Sequence, residues 1–274
     1  MPPGRSAQAS GMEQPIRPME PISWPAPFDD PLWQFEIKWD GVRCLALCGA
    51  DGARLFGRKG SDWSGRFPEI EAALRGERGI FDGELVVLAD GKPSFPAMLR
   101  RLHRDRGPVH YMVFDRLQDE DGHDLRGLPL PLRQAALPDL SGALRRVDAV
   151  REQGTALFQT AGEAGLEGIV CKRLDAPYVE GKSPLWRKVK CWRTITCIVI
   201  GLDLERGEVR SVRLGLPDGS AIGSVGGLSR AQGEELIAAQ RAGGPLRCRV
   251  AFLEWTEEGQ IRHPRWQGLV RQKA

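Results

Sequence analysis

Residues 35–43 read FEIKWDGVR, a stretch in which one lysine stands between two acidic residues. Three apolar residues alternate with three charged ones, and this period of two indicates a half-buried strand with Glu36, Lys38 and Asp40 on one face. The Asp-Gly pair that follows is a strong turn signal, so we expect a tight bend before a second strand at residues 42–48. Taken alone, such a lysine is most often part of a solvated ion pair that contributes little. Its predicted place near a strand end makes it a candidate functional group.

The composition is that of a globular protein with ordinary cores. The chain has 274 residues, of which 41% are hydrophobic and 27% are charged, enough for one large domain or two smaller ones. The net charge of +3 permits nucleic-acid binding without arguing for it, because phosphate-binding proteins usually concentrate more positive charge on one face.

The sequence contains no pattern typical of membrane insertion, secretion or zinc binding. No apolar run reaches the length of a membrane span, and the proline-rich first 34 residues lack an apolar signal core. The six cysteines show no C-x-x-C spacing, and the four histidines show no paired spacing. Buried thiols in a reducing compartment are therefore favoured over zinc ligands or disulfides. We expect a cytoplasmic protein that does not contact membranes.

The chain divides into three predicted regions. Residues 1–27 are rich in proline and lack periodicity, which predicts a flexible arm with order beginning near Phe28. Residues 28–192 contain mostly strand-like runs and a longer helix predicted at 148–164. Residues 193–274 contain short strands, glycine-rich turns and one helix, which is typical of a small OB-type barrel. The fold class predicted from this pattern is mixed α+β with mostly antiparallel strands.

Four further segments place polar groups within otherwise apolar strands. Burying a carboxylate is costly unless it is paired or binds a metal. Each segment alone is explained by an ion pair at a strand end, but together they bring lysines and carboxylates onto the strands of one domain. The residues are Asp82 and Glu84 in IFDGELVVL, Phe114 and Asp115 in HYMVFDRL, Glu167 and Lys172 in EGIVCKR, and Lys188 and Lys190 in LWRKVKCW.

This combination of side chains suits nucleotidyl transfer through a covalent lysine. A lysine amine attacks the α-phosphate of a nucleotide only when it is uncharged, and nearby cations favour that state. Lys188 and Lys190 are candidates to act in this way and to neutralise charge on the α-phosphate. Glu84 and Glu167 are candidates to hold Mg²⁺ directly or through water. Phe114 offers a face on which a purine can stack.

The ordered series EIKWDGVR, IFDGELV, YMVFDRL, LEGIVCKR and LWRKVK resembles the nucleotidyltransferase motifs of ATP-dependent DNA ligases. It is most similar to the ligase domain of bacterial non-homologous end-joining ligases. The similarity extends to PMEP before the lysine strand and to TEEGQIRHPRWQGL near the end of the chain. The resemblance implies an adenylation (nucleotidyltransferase) domain with antiparallel sheets, an OB-fold domain after it, and the sealing of nicks or broken ends in DNA repair.

The resemblance also implies roles for the residues that match its motifs. Lys38 is expected to take AMP from ATP as a phosphoramidate and to release pyrophosphate. Glu36 is expected to read the adenine edge, while Phe114 stacks on the base. Ile37 and Lys172 are expected to complete the nucleotide site. The AMP would then pass to a DNA 5′-phosphate, and the 3′-hydroxyl would displace it to seal the strand.

Other matching positions are expected to contact the sugar, the phosphates and the metal. Arg43 and Glu84 would hold the ribose side of the nucleotide, with Glu84 also near a metal ion. Arg58, in LFGRKGSDW, would contact the nucleotide or the 5′-phosphate of the nick, and Glu167 would bind metal. The two residues expected to grip the α-phosphate are Lys188 and Lys190.

The end of the chain departs from the pattern of the ligases. Their closing segment typically ends in Arg-x-Asp-Lys, whereas residues 270–273 here read VRQK. Arg262 and Lys273 remain as candidates for closure and DNA contact, but Gln272 stands where the acidic residue is expected. We expect adenylation of the lysine either to be slower or to tolerate an altered closure, with sealing by the pre-adenylated enzyme preserved.

The resemblance implies ATP as the AMP donor, Mg²⁺ or Mn²⁺ as the metal, and double-stranded DNA with nicks or ends as the substrate. It further implies a monomer in the bacterial cytoplasm, associated with the nucleoid, with a Ku-type end-binding protein or a repair polymerase as partner. Three alternatives stay open: an RNA ligase, a capping-type guanylyltransferase, and a catalytically weakened DNA-binding scaffold. The sequence does not decide the preferred DNA break or the preferred metal.

Overall fold

The computed structural model describes residues 16–103, 107–256 and 258–270. Contacts divide the chain into two compact units, Met1–Val189 and Lys190–Ala274. The sequence places the corresponding boundary after residue 192. The assignment of these units as an adenylation domain and an OB domain stays a prediction.

The first unit is built mainly of strands, with four helices of at most ten residues among its described residues. This composition confirms the predicted mixed α+β class. Its helices are α1 (Pro68–Ala73), α2 (Phe95–His103), α3 (Leu130–Ala135) and α4 (Gly154–Glu163). Its strands are β1 (Met19–Ser23), β2 (Trp33–Ile37), β3 (Val42–Gly49), β4 (Gly52–Gly57), β5 (Gly79–Val86), β6 (Leu88–Ala89), β7 (Lys92–Pro93), β8 (His110–Gln118), β9 (Leu144–Arg146), β10 (Ala149–Arg151), β11 (Gly168–Arg173) and β12 (Gly181–Lys190).

Two five-stranded sheets form the body of the first unit. One has the strand order β1-β12-β11-β2-β10, and the other has the order β4-β3-β5-β8-β9. β2 pairs antiparallel with both β10 and β11, and β3 pairs antiparallel with β4 and β5. The pairs β1–β12 and β8–β9 are parallel. The sheets are therefore mostly antiparallel, as the sequence predicts.

The segment that contains Lys38 connects the two sheets. β2 ends at Ile37 in the first sheet, and β3 begins at Val42 in the second. The predicted bend is present, but the strands on its two sides pair with different neighbours instead of with each other. Gly41 is required in this bend, because a Cβ atom there would lie 2.1 Å from the carbonyl oxygen of Leu85. Lys38 thus lies where the chain crosses from one sheet to the other.

Part of the predicted flexible arm is a strand, so the prediction that order begins near Phe28 is wrong. β1 pairs in parallel with β12 at the edge of the first sheet. Met19 is fully buried, its N–H donates to the Tyr178 hydroxyl at 2.8 Å, and its carbonyl oxygen accepts from Arg43 Nη2 at 3.0 Å. The high proline content obscured this strand, although an edge strand tolerates proline. Residues 1–15 lie outside the described residues.

A cluster of three aromatic rings holds β12 against the segment that follows β1. The Cζ atom of Arg187 lies 3.8 Å from the ring centroid of Trp24 and 4.3 Å from that of Trp33. Phe28 completes the cluster, with 5.3 Å between its centroid and that of Trp33. Within the described part of the chain, Arg187 Nε has no hydrogen-bond partner. Arg187 thus makes cation–π contacts with three rings of this cluster.

Replacing Arg187 with alanine is expected to lower the free energy of unfolding by about 1–2 kcal/mol, because two close cation–π contacts and the packing of the aliphatic stem are lost. Urea denaturation followed by tryptophan fluorescence measures the change. Arg187→Lys keeps the charge but loses the planar stack, so its loss should be smaller. Equal unfolding free energies for the parent and the alanine variant would show that the rings pack equally well without the cation.

The helix predicted at 148–164 is shorter in the structure. Residues 149–151 form β10, which pairs with Gln34–Glu36 of β2, and only Gly154–Glu163 is helical. Glu152 separates the two elements with a φ of +64°, a left-handed conformation that a continuous helix excludes. Pairing with β2 therefore outweighs the local helical pattern over the first turn.

The described part of the second unit contains a five-stranded antiparallel sheet and one helix. The sheet has the order β15-β14-β13-β16-β19, and α5 begins with the predicted capping box of Ser229 and Gln232. The described ladders do not join the two outer strands, so closure into an OB barrel stays a prediction. No described helix is long and apolar enough to span a bilayer. The elements are β13 (Arg193–Glu205), β14 (Glu208–Gly215), β15 (Ala221–Gly226), α5 (Arg230–Ala242), β16 (Arg247–Phe252), β17 (Glu254–Trp255), β18 (Ile261–Arg262) and β19 (Arg265–Leu269).

Candidate active site

One cavity of the first unit brings together most of the residues that the sequence predicts for nucleotide binding. Both sheets contribute to it, and Lys38 is part of its wall. Its lining residues are Glu20, Pro21, Glu36, Ile37, Lys38, Trp39, Arg43, Arg58, Glu84, Phe114, Val170, Lys172, Trp186 and Lys188. Those that the sequence reasoning did not name as site residues are Glu20, Pro21, Trp39, Val170 and Trp186. All five lie in or beside the quoted motifs, which was the available signal for them.

Lys38 directly follows β2 and is held by the start of β11, next to the predicted metal ligand Glu167. Its backbone N–H donates to the carbonyl oxygen of Gly168 at 2.9 Å. Its Nζ forms an ion pair with the carboxylate of Glu167. The side chain of Lys38 is 22% exposed, whereas that of Glu167 is 7% exposed. The antiparallel pairing of β2 with β11 therefore places a carboxylate directly against an accessible amine.

Arg43 is fixed by a buried carboxylate. Its Nε donates to Asp82 Oδ1 at 2.5 Å, and its Nη2 donates to Asp82 Oδ2 at 2.6 Å. Tyr178 also donates its hydroxyl proton to Asp82 Oδ2, at 2.6 Å. Burial opposes the charged form of Arg43, but the contact with Asp82 outweighs this and holds the pKa above its ordinary value. The guanidinium thus stays charged in the cavity wall, and its predicted contact with the ribose stays a prediction.

Phe114 lies at an irregularity in β8. The pairing of β5 with β8 shifts register between Asp82 and Gly83, which leaves Phe114 without a Cα partner. Such a bulge redirects a side chain. The Nζ of Lys172 lies 4.0 Å from the ring centroid of Phe114, and the Cζ of Arg43 lies 4.7 Å from it. The ring therefore contacts two cations, and its stacking on a purine stays a prediction.

Glu36 is buried with a lysine and two glutamines around its carboxylate. Lys172 Nζ lies 2.6 Å from Glu36 Oε2, and burial lowers the pKa of Lys172 while Glu36 opposes that effect. Gln34 Nε2 donates to Glu36 Oε1 at 2.8 Å, and Gln134 Nε2 donates to the same oxygen at 3.3 Å. The sequence reasoning missed both glutamines. The period of two in β2 signalled Gln34, whereas nothing local signalled Gln134.

Glu84 is a half-buried carboxylate with a raised pKa. Burial raises the pKa of Glu84 to about 7 against the lowering effect of Lys38 and Arg43, and the charges of Glu167 and Asp82 raise it further. Its strand partner across the ladder is Arg43. Protonated and ionised forms of Glu84 are therefore both accessible near neutral pH.

This raised pKa predicts a pH-dependent stability. The folded state binds the proton of Glu84 more tightly than the unfolded state does. Protonation of Glu84 therefore stabilises the fold below pH 4.5, and this stabilisation is lost as the pH rises towards 7. At each pH the unfolding free energy of Glu84→Gln is subtracted from that of the parent. This difference should fall by at most about 3 kcal/mol between pH 4.5 and pH 7. Urea titrations in EDTA at several pH values measure it. Glu163→Gln, an exposed control, should show the same dependence of unfolding free energy on pH as the parent. If the parent shows no greater loss of stability between pH 4.5 and pH 7 than Glu84→Gln does, the prediction is wrong.

Arg58 and Lys188 line the cavity. Arg58 is 57% exposed, and its Nη1 lies 3.4 Å from Glu20 Oε2. Lys188 lies on β12. The lysine two residues later, Lys190, ends β12 and belongs to the second unit. Phosphate contacts by these cations stay predictions.

The residues predicted for closure and DNA contact lie in or beyond the described part of the second unit. Arg262 Nη1 donates to Glu254 Oε1 at 2.5 Å, across the β17–β18 pair. Gln272 and Lys273 lie outside the described residues. The predicted role of Arg262 in closure, and the effect of the missing acidic residue, therefore stay predictions.

Comparison with known proteins places the chain among ligases. Residues 26–190 match the family model described as ATP dependent DNA ligase domain. The chain is 31% identical over 265 residues to DNA ligase C1 of Mycolicibacterium smegmatis, covering 86% of this chain and 76% of the relative. It is 35% identical over 190 residues to the multifunctional non-homologous end joining protein LigD of Pseudomonas aeruginosa, covering 66% of this chain. The chain spans only 22% of the length of that LigD protein.

A solved structure agrees with these sequence relatives. The mycobacterial DNA ligase D complexed with ATP and MES aligns with a TM-score of 0.59 and 29% identity. The alignment covers 94% of this chain and 96% of that chain. The matched segment contains Lys38 and every predicted residue that lines the cavity. The chain belongs to the family of ATP-dependent DNA ligase domains.

Proposed function

We propose that this chain seals nicks or broken ends in DNA through a covalent lysyl-AMP intermediate. One observation carries the proposal. The amine of Lys38 reaches a cavity whose wall holds Glu36, Glu84, Phe114 and Lys188, in a chain of the ligase domain family. One site thus offers a nucleophile, an acceptor for a base edge, an aromatic ring, a carboxylate and a cation.

The first step forms a bond between Lys38 Nζ and the α-phosphorus of ATP while the bond from that phosphorus to pyrophosphate breaks. The uncharged amine supplies the electron pair, and its proton passes to solvent. Glu167 contacts Nζ and orients it. Lys188 and Lys190 supply positive charge for the phosphate oxygens, which gain charge as the leaving group departs.

The nucleoside is held by the groups around Glu36. The Glu36 carboxylate accepts from the exocyclic amine of adenine, and Phe114 stacks on the base. Ile37 and Lys172 complete this part of the site, and both line the cavity. Arg43 contacts the ribose, while Arg58 contacts the nucleotide or the 5′-phosphate of the nick.

Two carboxylates fit a divalent cation. Glu84 and Glu167 offer oxygen ligands, which Mg²⁺ prefers, and the charge of Glu167 raises the pKa of Glu84. A cation between them would relieve that repulsion. When bound there, Mg²⁺ or Mn²⁺ supplies positive charge that neutralises the phosphates of ATP.

The later steps transfer AMP to DNA. A 5′-phosphate oxygen at the nick attacks the phosphorus of the lysyl-AMP, forming a pyrophosphate linkage and freeing Lys38. The neighbouring 3′-hydroxyl then attacks the DNA phosphate and releases AMP, which closes the strand. Arg262 and Lys273 of the second unit, proposed as an OB domain, contact DNA or close over the site.

The names of the relatives support a place in DNA repair. Those relatives include proteins named for non-homologous end joining. We extend this to the present chain as a monomer in the bacterial cytoplasm, associated with the nucleoid. A Ku-type end-binding protein or a repair polymerase would present the DNA ends.

Covalent labelling tests the proposal. The purified chain is incubated with α-labelled ATP and Mg²⁺, and the product is checked for the acid lability of a phosphoramidate. A singly nicked duplex with a labelled 5′-phosphate is sealed in parallel. Label together with a sealed product is the expected result.

The same assay separates the alternative functions. Label from GTP and not from ATP indicates a capping-type guanylyltransferase. Preferential joining of RNA ends indicates an RNA ligase. Nick binding with neither label nor sealing, even of a pre-adenylated nick, indicates a DNA-binding scaffold and overturns the proposed activity.

A further inference from the structure

Two buried glutamines lie behind the cavity wall, next to Glu36. Gln34 is 3% exposed on β2, and Gln134 is 7% exposed on α3. Neither lines the cavity, so neither is placed to touch a nucleotide directly. Both contact the one carboxylate that is proposed to read the base.

The amide groups of these glutamines use all their hydrogen-bond donors. Gln34 Nε2 donates to Glu36 Oε1 at 2.8 Å and to Gln134 Oε1 at 3.1 Å. Gln134 Nε2 donates to Glu36 Oε1 at 3.3 Å and to the carbonyl oxygen of Phe114 at 2.8 Å. A side-chain amide has two N–H donors, so both are satisfied on each glutamine. Turning either amide over would place an oxygen against the Glu36 carboxylate, and the network therefore defines both orientations.

The contacts around Glu36 differ between its two oxygens. A carboxylate offers about four lone-pair sites. The two glutamines occupy both sites on Oε1. Oε2 forms the ion pair with Lys172, whose Nζ lies 2.6 Å from it. Since Glu36 lines the cavity, Oε2 is the oxygen left to accept a hydrogen bond from a bound ligand.

Helix α3 links this carboxylate to the aromatic ring of the site. Gln134 binds the carbonyl oxygen of Phe114, the residue at the bulge of β8. The preceding residue of the helix, Arg133, binds Asp115 through Nε at 2.8 Å and through Nη2 at 2.8 Å. Two adjacent residues of α3 thus contact the backbone at Phe114, the side chain of Asp115 and the Glu36 carboxylate.

From this arrangement we infer that Gln134 is a positioning residue that sets the preference of the site for a 6-aminopurine over a 6-oxopurine nucleotide. The inference rests on the proposed function. The amine at C6 of adenine donates a hydrogen bond, whereas the oxygen at C6 of hypoxanthine or guanine accepts one. A carboxylate oxygen, which accepts hydrogen bonds and donates none, accommodates the first and repels the second. Without Gln134, Glu36 loses one of its two amide donors, and the hydrogen-bonded link from Glu36 to the backbone of Phe114 is lost.

The test compares covalent labelling by ATP and by inosine triphosphate, which differs at C6 by an oxygen in place of the amine. Rate constants at low nucleotide concentration are measured for the parent and for Gln134→Met, which keeps the side-chain length but removes the amide. The ratio of the ATP rate to the inosine triphosphate rate is expected to fall about tenfold, mainly through slower labelling by ATP. Gln34→Met, which removes the other amide, should lower the ratio in the same direction.

The control is Gln153→Met, the same chemical change at an exposed position outside the site, and it should leave the ratio unchanged. If Gln134→Met does not fold, Gln34→Met decides the question. An unchanged ratio in the folded variant, with both rates lowered equally, assigns the glutamine a structural role and overturns the inference alone. A parent that takes label from neither nucleotide overturns the proposed function and this inference with it.

Discussion

Lys38→Ala is expected to lose the covalent AMP label, with a fall of more than about 10³-fold in the rate of label formation. The variant has no amine next to β2. The backbone should keep its position, because the substitution leaves the N–H of residue 38 and its bond to the carbonyl oxygen of Gly168 in place. Glu167 loses its contact with Lys38 Nζ. Labelling by α-labelled ATP, followed by gel separation, measures the change.

Two comparisons make this result specific. Lys92→Ala removes an exposed lysine on β7 of the same unit and should label as the parent does. A duplex whose nick already carries AMP should still be sealed by Lys38→Ala, because that substrate does not require the lysyl-AMP. If Lys38→Ala labels at the rate of the parent, another residue is the nucleophile and the proposed mechanism is wrong.

Arg133→Ala is expected to give the largest loss of stability, about 3–5 kcal/mol of unfolding free energy, because it leaves a buried carboxylate without its partner. The side chains of Arg133 and Asp115 are both 0% exposed. Arg133 also donates from Nη1 to the carbonyl oxygens of Leu128 and Ala176. Burial already raises the pKa of Asp115 even though Arg133 opposes that effect. Urea denaturation at neutral pH measures the loss.

A double variant separates the ion pair from the packing. Arg133→Met with Asp115→Leu removes both charges and keeps most of the volume, so it should be more stable than Arg133→Ala. Arg101→Ala provides a comparison, since its partner Glu69 is 33% exposed and the loss should be smaller. A cost below about 1 kcal/mol for Arg133→Ala would show that Asp115 finds other partners or takes up a proton easily.

The sequence predicted the members of the site better than the way in which the chain assembles them. The alternation around Lys38 indicated a strand, and β2 is present, although it ends at Ile37 and is buried on both faces. Most of the residues taken from the motifs line one cavity, but Glu167 and Lys190 are not among its lining residues. Alternation does not specify partners, however, so the crossing from β2 in one sheet to β3 in the other was not predicted. The same limit applied to β1, whose burial depends on Tyr178 and β12 far along the chain.

The buried polar network was the least predictable part. Arg133 is fully buried although arginine is almost always exposed unless it is paired, and no local pattern signals such a partner. Gln134 bonds to groups on two different strands, which only tertiary structure brings together. Helix α3, which carries both residues, has only six residues and a proline near its start. Its sequence therefore shows little of the periodicity that indicates a helix.

The late pairing of β2 has a consequence for synthesis on the ribosome. The strand that positions Lys38 has its two neighbours at 149–151 and 168–173, so it emerges long before either of them. At a translation rate of about 5–20 residues per second this delay is roughly 10 s. In contrast, β3 pairs with β4 across a tight turn, and β5, which ends at Val86, provides the second partner of β3. Strands β3–β5 of the second sheet can therefore pair before β2 finds its neighbours, and the first sheet is then completed beside them. Pulsed hydrogen exchange on stalled nascent chains should show protection of β3–β5 before β2, and the reverse order would exclude this sequence of events.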